Sequence, residues 1–223
     1  MNTDILGLII ATFLISLILL FVMLLKKKTT LSDEILRKIV HISVSNWWIF
    51  NLFFIKDPKI TLIAPIIFIC VNSIFVFKPE SGAKFGFSSN TRNIGLVYYP
   101  LSFLILIYFC YNNKLAFAAG TIGAMSMGYG DGFAALIGLK WGKRKISKYT
   151  GNKTYLGTLS MAIICNFVSL ITLSIMSDLP ISSIVYFSII IGLSGALIEL
   201  VTPKNLDNLS VPLGLALIAG MLL

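Results

Sequence analysis

Charged residues are scarce in this chain of 223 residues: they make up 12% of it, against 57% hydrophobic residues and a mean hydropathy of +0.92. A soluble domain of this size carries roughly a quarter charged residues. A chain this apolar cannot cover its surface with polar groups, which excludes a water-soluble globule. Histidine occurs once, at His41, and cysteine three times, at Cys70, Cys110 and Cys165. No pair of these has metal-ligand spacing, so buried, reduced thiols are the expectation. The apolar runs are continuous rather than alternating, which excludes an outer-membrane barrel. A GxxxxGK[ST] pattern is absent, and with it a P-loop enzyme. Low-complexity tracts and internal repeats are absent as well.

The sequence is instead a series of apolar runs: Ile5–Leu25, Ile42–Ile55, Ile60–Phe77, Ile94–Tyr111, Leu115–Leu139, Leu156–Met176, Ile181–Val201 and Leu209–Leu223. A spanning helix takes roughly 20 residues, so the expected fold is an all-α, polytopic integral membrane protein with about eight transmembrane helices. Residues 1–223 are expected to form a single transmembrane domain, with no room for a separate soluble unit. The run Ile5–Leu25 has no basic segment before it and Lys26-Lys27-Lys28 directly after it. This is the reverse of a signal peptide, so residues 1–36 read as a retained anchor helix with its basic stop. The second run is short, and with the segment Arg37–His41 it reads as one longer, partly interfacial helix.

Basic residues set the orientation. With the N-terminus outside, the inner loops hold Lys26, Lys27, Lys28, Arg37, Lys38, Lys78, Lys84, Arg92, Lys140, Lys143, Arg144, Lys145, Lys148, Lys153 and Lys204. Only Lys56, Lys59 and Lys114 lie outside. The expected topology is therefore N-out and C-out. The net charge of +9 is then that of a cytoplasmic surface facing anionic lipid or an anionic substrate, with no need of nucleic acid. The longer loops are inside too, so the chemistry is expected at the cytoplasmic face.

Four segments carry polar chemistry. In the first, Gly120, Ala124, Gly128, Gly132, Ala135, Gly138 and Gly142 fall three or four residues apart and form one small-residue stripe on a helix, which lets helices approach closely. Asp131 sits among them, where an ionised carboxylate needs a cation or a metal as partner. Second, Lys140, Lys143, Arg144, Lys145, Lys148 and Lys153-Thr154 follow that helix. They read as a lipid-headgroup anchor or, beside a metal-holding carboxylate, as cations for a triphosphate. Gly151-Asn152-Lys153-Thr154 also opens the next helix, whose N-terminus offers backbone donors. Third, Arg37-Lys38 precedes His41. Arg37 and His41 share a helix face, either as an interfacial basic segment or as a phosphate clamp with His41 holding or relaying a proton. Fourth, Glu199 ends an apolar run, and Asp207-Asn208 opens the last helix, where an N-cap is the simple reading. The inner loop Ser88–Asn93 is polar and has the composition of a nucleotide contact.

These segments resemble, in order, those of the CTP-dependent polyprenol kinases (phytol, farnesol and dolichol kinases). The similarity is strongest to the phytol kinase branch. The matching residues are Arg37-Lys38-x-x-His41; Gly130-Asp131-Gly132-Phe133-Ala134 with Gly138 and Gly142; Lys153-Thr154-x-x-Gly157-Thr158-Leu159-Ser160-Met161; and Glu199 with Asp207-Asn208-Leu209-Ser210-Val211-Pro212. Together they span about residues 37–214. Two positions depart from the pattern: Ser43-Val44-Ser45-Asn46 after the histidine and Leu156 before Gly157.

The resemblance implies a membrane-embedded kinase. It would transfer the γ-phosphate of CTP, with Mg²⁺, to an isoprenoid alcohol in the bilayer. It implies Asp131 as metal ligand or base, with Glu199 and Asp207 completing the metal shell together with Asn208. Arg37, Lys38 and Lys153 would neutralise phosphates, Lys143, Arg144 and Lys145 would recruit the nucleotide, and Thr154 would contact it. The expected partners are CTP, a membrane lipid alcohol and the bilayer. A CTP:phosphatidate cytidylyltransferase, which the second and third segments also resemble, is the alternative. A small transporter with Asp131 and Glu199 on an ion pathway is the second alternative.

Overall fold

The computed structural model describes residues 3–78, 94–146 and 153–223. The Ser88–Asn93 loop, Lys84, Lys148 and Gly151-Asn152 lie outside the described residues. The elements of the described chain are all helices, with one isolated antiparallel bridge between Lys145 and Thr154. Its elements are α1 (Thr3–Lys28), α2 (Asp33–Phe54), α3 (Pro58–Phe77), α4 (Gly95–Tyr111) and α5 (Phe117–Met125), then a π-helical segment (Ser126–Asp131), α6 (Gly132–Trp141), α7 (Tyr155–Met176), α8 (Ile181–Val201) and α9 (Asp207–Leu222). Since α5, the π segment and α6 follow without a break, the described residues form eight rods, at the eight positions where the apolar runs lie.

Four rods, α1, α3, α7 and α8, are long and apolar enough to cross a membrane. The others fall short of that for visible reasons. Helix α2 carries Asp33, Glu34, Arg37, Lys38 and His41 in its first half. Helices α4 and α9 are apolar but only 17 and 16 residues long. The fifth rod is interrupted by its π segment. Polarity is distributed inside out: Phe53, Phe77, Ile175 and Val201 are more than 70% exposed, whereas Lys38, His41, Asp131, Glu199 and Asn208 are buried. Lipid in place of water is the solvent that permits this.

Local chemistry sets the boundaries. Ser32 caps α2 by accepting from the backbone N–H of Ile35, and the charged first turn runs straight into the apolar part, so the expected longer helix forms. Asp57 caps α3 with Pro58 in its first turn. Thr154 caps α7, its hydroxyl accepting from Gly157 N–H at 3.1 Å. Helix α1 is peripheral; it buries only Gly7, Ala11, Ile15 and Val22, a single narrow stripe. Cys110 and Cys165 are buried free thiols, as expected, whereas Cys70 lies on an exposed face of α3.

The π segment is the hub of the bundle, in contact with α2, α7, α8 and α9. It also corrects the expectation of one uniform stripe of small residues. A π turn takes one residue more than an α turn, which swings every following residue by about 100°. The glycines are thus shared among several partners. A Cβ on Gly120 would meet Cys110 of α4 first and then Trp48 of α2, while those on Gly128 and Gly132 would meet Ser45 and Ile42 of α2. Gly130 faces Met161 and Cys165 of α7, while Gly138 and Gly142 close around Thr154 at the start of α7.

Candidate active site

Two buried ion pairs lie beside this hub. Lys38 of α2 donates to the Asp131 carboxylate at the end of the π segment. Both side chains are over 90% buried, and they are 93 residues apart in sequence. The partner that Asp131 was expected to need is therefore Lys38. The second pair joins Lys153 to Glu199, Nζ to Oε1 at 3.1 Å. The same ammonium also donates to the backbone carbonyls of Glu199 and Thr202, so Lys153 caps the C-terminus of α8.

His41 lies one turn after Lys38 on the same buried face of α2. Its ring stacks on Tyr99 of α4, with centroids 4.4 Å apart and planes 10° from parallel. The Tyr99 hydroxyl donates to the His41 backbone carbonyl at 3.1 Å. Nothing in the sequence singled out Tyr99, because it sits in an ordinary apolar run. His41 Nδ1 is buried without a hydrogen-bond partner, as is Nε of Arg37.

Asp207 and Asn208 open α9. The Asp207 carboxylate accepts from Asn208 N–H at 3.0 Å, and the Asn208 amide donates to the Asn205 carbonyl at 3.2 Å. Thus Asp207 binds a first-turn N–H from inside the helix, while the capping position is Leu206. Asn208 Oδ1 is buried and unpartnered. Asp131, Glu199 and Asp207 act on one another electrostatically, and Lys38 and Lys153 both act on Asp207. All four sequence segments therefore meet in one charged neighbourhood.

The three carboxylates do not converge as metal ligands. Among the described residues, no three His, Cys, Asp or Glu side chains form such a group. Asp131 and Glu199 are instead each turned to a lysine. The basic loop folds back against the start of α7. Tyr155 N–H donates to the Arg144 carbonyl at 3.2 Å, and Ile146 N–H to the Lys153 carbonyl at 3.1 Å. This brings exposed Lys143, Arg144 and Lys145 alongside Lys153, with the Arg144 guanidinium 5.7 Å from the Tyr155 ring centroid. Thr154 is buried, and its hydroxyl accepts from Gly157 N–H in the α7 cap.

The site as a whole holds hard oxygen donors, several cations and one imidazole, buried at the ends of helices. That set suits the binding of phosphates and the movement of one proton. No protein-family profile matches the chain, and no solved structure does. Curated relatives do match. A phytol kinase of the cyanobacterium Synechocystis sp. is 28% identical over 201 residues, 88% of this chain and 82% of that protein. Probable chloroplastic phytol kinases of Glycine max and Zea mays are each 29% identical over 140 residues, 57% of this chain. Those matches span less than half of the plant proteins, 45% and 43%. The chain is thus similar in sequence to phytol kinases, along most of its length in the cyanobacterial case and over the shared 140 residues in the plant ones.

Proposed function

We propose that this chain is an eight-span membrane kinase, N-out and C-out, that transfers the γ-phosphate of CTP to the primary hydroxyl of an isoprenoid alcohol at the cytosolic face. The observation that carries this reading is the buried Lys38–Asp131 pair next to Lys153–Glu199 in a relative of phytol kinases. In the reaction, a bond forms between the alcohol oxygen and the γ-phosphorus. The bond from that phosphorus to the β–γ bridging oxygen breaks, and CDP leaves. The hydroxyl proton passes to the Asp131 carboxylate, or to His41 beside it. An alcohol is a weak acid, so positioning and charge neutralisation outweigh deprotonation.

Lys38, Lys153 and Arg37 bind phosphate oxygens in this reading. The unpartnered Arg37 Nε is a donor in waiting. Lys143, Arg144 and Lys145 attract the nucleotide from the cytosol. A Mg²⁺ ion bound with CTP would neutralise charge on the transferred phosphoryl group. Asp207 and Asn208 Oδ1 would hold it, with Asp131 or Glu199 joining only on release from its lysine, since Mg²⁺ commonly takes only one or two carboxylates with substrate phosphates. Thr154 supports the site through the α7 cap.

The test uses purified protein in detergent with Mg²⁺ and CTP labelled at either the α- or the γ-phosphate. Phytol, farnesol, a polyprenol, diacylglycerol and phosphatidate are supplied separately. Label from the γ position on an isoprenoid alcohol is the expected result. Label from the α position on phosphatidate would make the chain a cytidylyltransferase. No lipid label from either position would move the reading to transport or to an acceptor outside this set.

A further inference from the structure

Asn46 is exposed, in the middle of α2. It shares its helix face with Ile49 and with Phe53, which is 72% exposed. That face is dressed for lipid, and a carboxamide on it is costly unless satisfied. Here it is satisfied. Its amide donates to the Ile42 and Ser43 carbonyls at 3.0 and 3.3 Å, and its Oδ1 accepts from the Tyr129 hydroxyl at 2.8 Å. Tyr129 belongs to the π segment, two residues before Asp131. Its ring stacks on Phe133, centroids 6.3 Å apart and planes 19° from parallel, and Phe133 is itself exposed. The π segment therefore presents Asp131 inward and Tyr129 outward.

This pair is not required to bring the two elements together. Inside its rim they already touch without a spacer, Gly128 against Ser45 and Gly132 against Ile42. We infer that the Asn46–Tyr129 pair, walled by Phe133, is a lateral docking face where a long-chain alcohol is bound by its hydroxyl from within the bilayer. The inference rests on the proposed kinase reading for its ligand class. A hydroxyl both donates and accepts, so an alcohol can insert into the existing bond, donating to Asn46 Oδ1 while accepting from the Tyr129 hydroxyl. Every hydrogen bond is kept. A hydrocarbon or an ester has no such donor. The alcohol chain then lies along Ile49 and Phe53, and its hydroxyl docks on the outer side of the segment whose inner side carries Asp131, one step before it passes inward to react.

The experiment places the protein in lipid nanodiscs with a long-chain primary alcohol bearing a diazirine beside its hydroxyl end. Photolabelling should map to residues 42–53 and 129–133 and should be competed by unlabelled alcohol but not by the matching methyl ester. Tyr129→Phe keeps the ring and its stack, and Asn46→Leu removes the acceptor. Each should raise the KM for the alcohol about tenfold and leave the KM for the nucleotide unchanged. Label confined to other helices, or an unchanged alcohol KM in both variants, would overturn the docking face. The two proposals fail separately. Label here with no phosphorylated alcohol would sink the kinase reading alone, and phosphorylated alcohol with label elsewhere would sink this one alone.

Discussion

The Lys38–Asp131 pair has two jobs that substitutions can separate. As a buried ion pair it is weak support for stability, yet removing one member strands the other and costs about 3–5 kcal/mol. Asp131→Asn should therefore lower the thermal midpoint in detergent as well as abolish turnover. The double variant Lys38→Met with Asp131→Leu removes both charges, so it should regain most of the midpoint and none of the turnover. Turnover in the double variant would show that Asp131 is no catalytic residue. That Asp131 needed a partner, a basic side chain or a metal, was legible in the sequence, because a carboxylate in an apolar run must be paired. That the cation is Lys38 was not legible, since it depends on how α2 lies against the π segment. Tyr99 was hidden for the same reason; only the bundle places its ring on His41.

At the scale of the element, the π segment decides where Asp131 points. The sequence showed small residues at helical spacing, and such spacing reads as an uninterrupted helix. A local widening leaves no trace in the pattern, because the same glycines suit close α packing equally well. The segment's fit is testable through Gly128. A Cβ there would fall on the Ser45 side chain, so Gly128→Ala should push α2 away, with an overpacking cost of about 1–3 kcal/mol. Because Lys38 rides on α2, turnover should fall with it. Adding Ser45→Gly removes the colliding atoms and should restore both midpoint and turnover. Gly130→Ala should be milder, since its Cβ would meet the Cys165 and Met161 sulfurs at 2.7 and 2.9 Å and the Met161 thioether can swing aside. A neutral Gly128→Ala would show that the two elements are not held in close contact there.

Across the whole molecule, the bundle sorts its polar groups to two ends. The Asp4 carboxylate accepts from Lys56 N–H at 2.8 Å, and the Tyr111 hydroxyl donates to the Ile55 carbonyl at 3.0 Å, so the start of α1, the α2–α3 turn and the end of α4 meet at one end. Lys38, Asp131, Lys153, Glu199 and Asp207 gather at the other. Under the proposed eight-span topology the basic-residue count groups the same loops together. Geometry alone is symmetric about which end faces the cytosol, and only the excess of Lys and Arg breaks the tie. CTP is a cytosolic nucleotide, so the kinase reading requires the charged end to be inside. Single cysteines placed at Lys56, Lys114, Lys143 and Lys204, all exposed positions, test this once Cys70, Cys110 and Cys165 are replaced. A membrane-impermeant maleimide should label the first two in intact cells and the last two only after permeabilisation. Labelling at Lys143 in intact cells would put the basic loop outside, away from any nucleotide, and the phosphate roles of Lys143, Arg144, Lys145 and Lys153 would fall together.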